Sequence, residues 1–397
     1  MQTFVSAFLV TLAAVLAVPV SAFFLEIVAA LALPQPKRFS RTYAYFRPGV
    51  AVLVPAHNES AGLLLTIADI KKQLTPGDRL IVVADNCTDD TAAIARAIGA
   101  DVIERHDRRR IGKGYALDYG LGYLANDPRD IVIMIDADCR LSDGVIDDLA
   151  RTCALTRRPV QALYLMQAPQ GARINQQIAE FAWRIKNWLR PLGLRALNLP
   201  CQLTGTGMAF PWEAIRTADL AHGGIVEDMK LGIDLARVGS PPMFCPSARV
   251  TSKFPTSRRG AGVQRQRWEH GHIQLIMRAA VPLLVRGFTR ANVNLVALAL
   301  DLMIPPLSLL AFLIVGMDAI TTLAAALGYS STPLLVSAAT SVTFAVGVLL
   351  GWLKCGRDVF PPRALFSIAA YMGAKFPLYV RALSGRFGGQ WIRTDRK

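Results

Sequence analysis

The chain has 397 residues, 52% of them hydrophobic, a mean hydropathy of +0.33 and a formal net charge of +15. That length can hold one large catalytic domain with a few membrane helices, or two soluble domains. Charge gathers between Lys37 and about Arg290 while both ends contain long runs nearly free of it, which excludes the soluble pair. The basic balance suits nucleic acid, anionic lipid or a polyanionic substrate. No helix-turn-helix, zinc-finger or RNA-binding motif is present, so nucleic acid is set aside.

Residues 4–25 carry no charge, and the apolar run continues past Glu26 to Leu33. A spanning helix needs about 20 apolar residues. Pro19-Val20-Ser21-Ala22 has the look of a signal-peptide cleavage site, but Met1-Gln2-Thr3 offers no positive leader and the run is too long for a signal core. Residues 1–36 are therefore expected to form a transmembrane anchor, with a boundary near 34–47 and the cations Lys37, Arg38 and Arg41 just beyond it.

From Val50 the pattern becomes short apolar runs alternating with helical ones. Val52-Leu53-Val54, Leu80-Ile81-Val82-Val83 and Ile131-Val132-Ile133-Met134-Ile135 read as buried strands, and 61–73, 89–98 and 115–124 as helices. Such alternation predicts an α/β fold with a mostly parallel sheet covered on both faces, and ligands bind beyond the carboxyl ends of its strands. Polar clusters stand there: His57-Asn58-Glu59, Asp85-Asn86 and Asp136-Ala137-Asp138.

Each cluster has two readings. Asp136 and Asp138, two apart after a strand, point the same way; they suit a hard cation bridging to phosphate, or a turn and helix cap. Asp85 is expected to contact a nucleotide, with Thr88 or Asp89 left to cap the next helix. Glu59 is a ligand contact or a first-turn helix acid. Gly112-Lys113-Gly114 lacks the spacing of a phosphate-binding P-loop and the third glycine of a dinucleotide fingerprint, yet a lysine at a helix start can meet a phosphate.

Glu227-Asp228 opens a helical stretch at 229–238, as acids complementing the helix dipole or as a general base taking an acceptor's proton. In Gln264-Arg265-Gln266-Arg267-Trp268, Arg267 could neutralise a diphosphate and Trp268 could offer a flat face to a sugar ring; a basic juxtamembrane helix is the alternative. His270 and His272 have no third metal ligand beside them. The six cysteines (87, 139, 153, 201, 245 and 355) form no CxxC pair and read as free thiols in a reducing compartment.

Two more spans are expected at 295–315, interrupted by Asp301 and Pro305-Pro306, and at 334–353. The runs 273–285, with Arg278 and Pro282, and 364–380, with Lys375 and Pro377, read as helices lying in the membrane interface. Cationic flanks, among them Lys354, Arg357 and Arg363, favour the cytoplasm. The expected layout is a multi-pass inner-membrane protein with three crossings, the N-terminus outside and the catalytic domain cytoplasmic. Its segments are the anchor (1–36), a catalytic domain (37–260), a segment with interfacial helices (261–290), two spanning helices (291–355) and a basic tail (356–397).

In this order, the motifs resemble those of membrane-bound glycosyltransferase family 2, the branch with cellulose, hyaluronan and chitin-oligosaccharide synthases. The resemblance covers about Ala51 to Gly271. It implies a GT-A nucleotide-sugar-binding domain and Mg²⁺ or Mn²⁺ as cofactor. Pro55, Ala56, Asn58 and Glu59 match the opening nucleotide loop, Asp85 the base-binding aspartate and Lys113 the GKxxAL lysine. Asp136, Ala137 and Asp138 match DxD, with Asp138, and Asp136 beside it, on the metal. Gly205, Thr206 and Gly207 match the acceptor loop. Glu227 and Asp228 match TED, with Asp228 as base and Val226 in place of the threonine. Gln264, Arg267 and Trp268 match QxxRW, contributing to the donor site, with Trp268 also facing the acceptor. The implied activity is inverting transfer from a nucleotide-diphosphate sugar, by family habit a UDP-sugar, to a membrane-associated, lipid-linked saccharide such as one carried on a polyprenyl diphosphate. The setting is exopolysaccharide or glycolipid synthesis, beside other polysaccharide-assembly proteins. A processive synthase and a nucleotide-binding scaffold without catalysis are the alternatives.

Overall fold

The computed structural model describes residues 1–35, 47–221, 226–255 and 258–362, with Ser367 and Gly373 beyond them. The chain divides into two compact units, one containing the sheet and one mostly apolar helices.

In the first unit the strands are β1 (Val50–Ala56), β2 (Arg79–Asp85), β3 (Asp101–Arg105), β4 (Ile131–Met134), β5 (Arg140–Leu141), β6 (Val160–Gln167), β7 (Met208–Pro211) and β8 (Met243–Lys253). They form one sheet in the order β3-β2-β1-β4-β7-β6-β8-β5. The pairs β1–β2, β2–β3, β1–β4 and β6–β8 are parallel, and β4–β7, β6–β7 and β5–β8 are antiparallel. The three apolar runs read from the sequence are β1, β2 and β4, and burial on both faces explains why they do not alternate with polar residues.

The helix expected at 115–124 begins two residues earlier and spans Lys113–Leu124. It lies close on the sheet because residue 120 is glycine: a Cβ there would stand 2.5 Å from Leu53 Cδ1. The helices expected at 61–73 and 89–98 span Ser60–Lys71 and Thr91–Ala97. At the second, Asp89 Oδ1 accepts from the Thr91 amide at 3.1 Å, while the Thr88 amide turns instead to Asn58. Glu59 occupies the cap position of its helix rather than the first turn, and its side chain makes no cap bond.

Since β1, β2 and β4 are parallel, the segments following them leave the same end of the sheet. Because β7 runs against β4, the loop leading into it, Gly205 to Gly207, arrives at that end too.

In the helical unit, Gln2–Ala32, Leu307–Ala326 and Thr332–Cys355 are long and apolar enough to cross a membrane. The first and last match expectation. The span expected at 295–315 is corrected: its apolar run splits into the helices Val293–Leu302 and Leu307–Ala326. Pro305 and Pro306 sit in the break, where their missing N–H groups and fixed rings end one helix before the next begins.

Asp301, on the short helix, is buried with Arg190, which also holds Glu26 of the first span at 2.7 Å. Arg190 belongs to Gln170–Asn198, a stretch that by sequence fell inside the catalytic domain but packs within the helical unit. There Phe181, Ile185 and Leu189 cluster with Phe23, Ile27, Trp352 and Phe360. Gly193 meets the Glu26 carbonyl so closely that any Cβ would overlap it. Asp318, on the second span, accepts bonds from Ser337 (2.5 Å) and Ser341 (2.6 Å) on the third.

The run 273–285 falls on the end of the helix Arg258–Leu275, a π-helical turn Ile276–Ala280 and the helix Val281–Thr289. Pro282 follows directly on the π-helical turn and stands in the first turn of that last helix, which continues past it to Thr289, so it does not break the run. Met277, Val281, Val285 and Phe288 are exposed while Leu283 is buried. Lys37, Arg38, Arg41, Arg363 and most of the helix expected at 364–380 lie outside the described residues.

Candidate active site

The loops after β1 and β2 are tied together. Pro55 and Ala56 end β1 in register with Val83 and Ala84 of β2. Asn58, at φ +52°, accepts from the Thr88 amide at 2.7 Å and donates to the Thr88 hydroxyl at 3.1 Å. His57 Nδ1 lies 2.7 Å from the Asp85 carbonyl oxygen, and the Glu59 amide donates to Thr91 Oγ1 at 3.0 Å.

Asp85 is not a bare acceptor. Its Oδ1 receives Arg105 Nη1 at 2.7 Å and Asn86 Nδ2 at 3.0 Å. Burial pushes this carboxyl up, with Arg105 pulling against it. Arg105 also donates to the Arg110 carbonyl at 2.8 Å and lies over the Tyr115 ring. Sequence reasoning missed Arg105. It faces Asp85 across the β2–β3 register, a pairing that no local motif announces.

Lys113 joins the next set. Its ammonium forms an ion pair with Asp136 and donates to the Gly205 carbonyl at 2.5 Å. Burial disfavours the charged amine, but Asp136, Glu227 and Asp228 outweigh it, so the net shift is upward. Glu227 and Asp228 start the helix Glu227–Arg237, two residues earlier than expected. Burial, then the charge of Asp228, push Glu227 up to about 7 against the pull of Lys113. A Cβ placed on Gly205, whose φ is +93°, would stand 3.3 Å from Asp228 Oδ2 and 3.7 Å from Lys113 Nζ. Acids and lysine thus surround one glycine loop.

Asp136, Asp138 and Cys139 bring potential ligand atoms within 4.8 Å of one another. Two hard carboxylates fit Mg²⁺ or Mn²⁺. Cys139 does not add to the set: burial and then Asp136 push its thiol up to about 12, and its sulfur lies 3.5 Å from the Thr206 hydroxyl. Of the two carboxylates, Asp136 also forms the ion pair with Lys113; Asp138 follows it two residues on, in the same turn. Its turn is pinned from below by Thr66 Oγ1, 2.8 Å from the Ala137 carbonyl and 2.7 Å from that of Cys139. Glu59 is close by: a Cβ on Gly62 would lie 3.5 Å from Glu59 Oε2 and 3.7 Å from Asp138 Cα.

Gln264 is buried and Arg267 and Trp268 half-buried on the helix Arg258–Leu275. Burial lowers the Arg267 guanidinium's proton affinity, and the nearby Glu227 charge props it up. His272 is not part of this site; its Nε2 lies 3.3 Å from the Leu302 carbonyl in the helical unit, and burial followed by Lys186 and Arg190 keep its imidazole neutral. All six cysteines are free thiols. Gln161, another residue missed, is buried in β6 and bonded to the loop before β7. A lone glutamine in the run Val160-Gln161-Ala162-Leu163-Tyr164-Leu165 was the available signal.

Among solved structures, the fold is similar to the mannosyltransferase PcManGT of Pyrobaculum calidifontis in complex with GDP-Man and Mn²⁺. The TM-score is 0.55 at 17% identity, over 96% of this chain and 100% of that one, a likeness of fold. The probable glycosyltransferase YdaM of Bacillus subtilis is 25% identical over 258 residues, 58% of this chain and 57% of its own. An uncharacterized glycosyltransferase of Mycobacterium bovis, Mb0553, is 33% identical over 144 residues, 34% of this chain and 59% of its own. The chain spans less than two thirds of the length of these curated relatives. The model of the family described as glycosyltransferase like family 2 matches residues 48–271, more than half of the chain and the stretch that supplies every site residue above. By that match, and with a sheet whose strand ends gather the acids and lysine just described, the chain belongs to glycosyltransferase-like family 2.

Proposed function

We propose that the chain is a membrane-embedded inverting glycosyltransferase, with a nucleotide-diphosphate sugar, by preference a UDP-sugar, as donor and a lipid-linked saccharide as acceptor. The observation that carries this reading is the meeting of Lys113, Asp136, Glu227 and Asp228 around Gly205. A base and a charge-neutralising cation thereby stand beside a carboxylate pair suited to a metal.

Asp228 takes the proton of the acceptor hydroxyl, which attacks the anomeric carbon opposite the leaving nucleotide. Pro55, Ala56, Asn58, Glu59, Asp85, Ala137 and Gln264 hold the nucleotide. Gly205, Thr206, Gly207 and Trp268 face the acceptor. Arg267 and Lys113 offset the charge growing on the departing diphosphate; one contact of this kind is worth about 2.7–4 kcal/mol of barrier. Asp138, with Asp136, would hold Mg²⁺ or Mn²⁺, which supplies further charge neutralisation at the diphosphate when bound.

Three membrane-length helices support an inner-membrane setting, and the cations flanking them in sequence favour a cytoplasmic catalytic unit with the N-terminus outside. The exposed Met277, Val281, Val285 and Phe288, with Arg278, Arg286 and Arg290 nearby in sequence, suit a helix lying in the interface. That surface favours a membrane-bound acceptor.

The test is a panel of nucleotide sugars offered to the full chain in native membranes, with Mg²⁺ or Mn²⁺ and lipid extract as acceptor. Expected are nucleotide diphosphate release, loss of turnover with EDTA and an inverted anomeric centre in the product. A retained anomeric configuration, or no turnover with any donor, refutes the proposal. A ladder of long chains would favour a processive synthase over single addition.

A further inference from the structure

Two independent features single out β6. Gln161 is 1% exposed, a buried polar side chain in a strand whose other glutamine, Gln167, is exposed. The strand also loses its register with β8 between Ala162 and Leu163, one residue further on. Irregularities of this kind re-aim a strand next to functional sites. The β6–β7 pairing has two rungs, Val160↔Ala209 and Gln161↔Met208, so Gln161 stands where the loop before β7 diverges from the sheet.

The amide of Gln161 serves that loop. Its Oε1 accepts from the Thr204 amide at 2.8 Å, and its Nε2 donates to the Thr206 carbonyl and to its neighbour Ala162, both at 2.9 Å. Between the two loop contacts sits Gly205, whose carbonyl takes Lys113 and whose α-carbon faces Asp228. Thr206 then reaches the other way, its hydroxyl accepting from the Asp136 amide at 3.0 Å. Gly207 closes the loop at φ +65°; its amide donates to the Met134 carbonyl at 3.0 Å. A Cβ there would lie 2.7 Å from the Ala162 Cβ, so the loop is seated without slack.

We infer that Gln161 is a positioning residue, which acts through Thr206 to fix the acceptor loop and the base Asp228 against the DxD turn. The inference rests on the glycosyltransferase reading above and adds a division of labour to it: the bonds of Gln161 go to the backbone of the loop before β7 and not to the loops after β1 and β2, so its loss falls on transfer more than on nucleotide binding. Both ends of its amide matter. A carboxylate at 161 keeps an acceptor for the Thr204 amide but faces two carbonyl oxygens, and a thioether keeps the volume but satisfies neither contact.

The experiment uses the full chain in native membranes with UDP-glucose and GDP-mannose, each with Mn²⁺. It compares Gln161→Met, Gln161→Glu, Thr206→Val and Thr206→Ser with the wild type. Readouts are kcat and donor KM for transfer, the ratio of transfer to donor hydrolysis by water, and Mn²⁺–UDP and Mn²⁺–GDP binding. Both Gln161 variants and Thr206→Val are expected to lose ten- to hundredfold in kcat and in the transfer-to-hydrolysis ratio. In the two Gln161 variants donor KM and nucleotide binding stay within threefold. Thr206→Ser, which keeps the hydroxyl, restores most of the rate. Equal loss of nucleotide binding and transfer would mean a merely structural role and overturns the inference. So does a kcat within twofold of wild type in Gln161→Met and Thr206→Val. If Gln161→Met fails to accumulate, Gln161→Glu, which keeps the acceptor for the Thr204 amide and loses the donor to the Thr206 carbonyl, decides. A wild type that neither transfers nor hydrolyses either donor, while the wider panel also gives no turnover, defeats the functional reading itself; a working wild type with unaffected variants defeats the positioning role alone.

Discussion

Replacing Lys113 by methionine removes the cation shared by the two halves of the site while keeping much of the side chain's length. Asp136 loses its ion pair and the Gly205 carbonyl loses a donor at 2.5 Å. A hydrogen bond to a charged group is worth about 1.5–3 kcal/mol. A preorganised cation aimed at developing charge is worth about 2.7–4 kcal/mol, which converts to roughly a hundred- to thousandfold in rate. A second effect has a definite sign. Lys113 pulls the Glu227 carboxyl down from where burial and Asp228 would put it, and the balance stands at about 7. As pH rises through that value Glu227 ionises, and its charge makes the adjacent Asp228 a stronger base, so transfer should rise. Without Lys113 the carboxyl holds its proton longer, and the rising limb moves to higher pH. The assay is nucleotide diphosphate release between pH 5.5 and 9 for wild type, Lys113→Met and Lys113→Arg. A guanidinium keeps the charge but not the compact point geometry, so arginine should recover part of the rate and return the limb toward its original position. A methionine variant within tenfold of wild type, or a limb that stays put or moves to lower pH, refutes this account of the lysine.

Two other substitutions test separate parts of the molecule. Asp228→Asn keeps shape and hydrogen bonding but removes the base, so transfer should vanish while Mn²⁺–nucleotide binding stays within threefold; parallel loss of binding contradicts the assignment. Arg190→Met leaves Glu26 and Asp301 buried without their cation, which should cost about 3–5 kcal/mol. Thermal unfolding of the detergent-solubilised chain reads this, and Glu26→Gln with Asp301→Asn in the same chain should restore most of the loss; an unchanged midpoint in Arg190→Met means that the ion triad adds nothing to stability.

The sheet was legible because strands buried on both faces must be apolar throughout, as β1, β2 and β4 are. Their ends were legible because polar residues crowd where the apolar runs stop. What could not be read were partnerships set by register and long-range packing. Arg105 lies opposite Asp85 only once β2 and β3 pair. Arg190 reads as an ordinary cation on an amphipathic segment, and nothing local links it to Glu26 or Asp301, more than a hundred residues away on either side. Hydropathy also blurred the second span: the run around 295–315 is apolar on both sides of Pro305-Pro306, so where the crossing helix starts depends on backbone geometry rather than on composition.

The excursion of Gln170–Asn198 into the helical unit bears on how the protein can be handled. Cutting the gene to residues 47–271 in search of a water-soluble enzyme would retain Phe181, Ile185 and Leu189 but discard Phe23, Ile27, Trp352 and Phe360, against which they pack. Such a fragment would present a greasy, arginine-bearing arm to the solvent. It should clump or cling to detergent, whereas replacing Gln170–Asn198 alone with a short polar bridge, so that Leu199 and the loop up to Gly207 are kept, offers the better route to a soluble sheet unit.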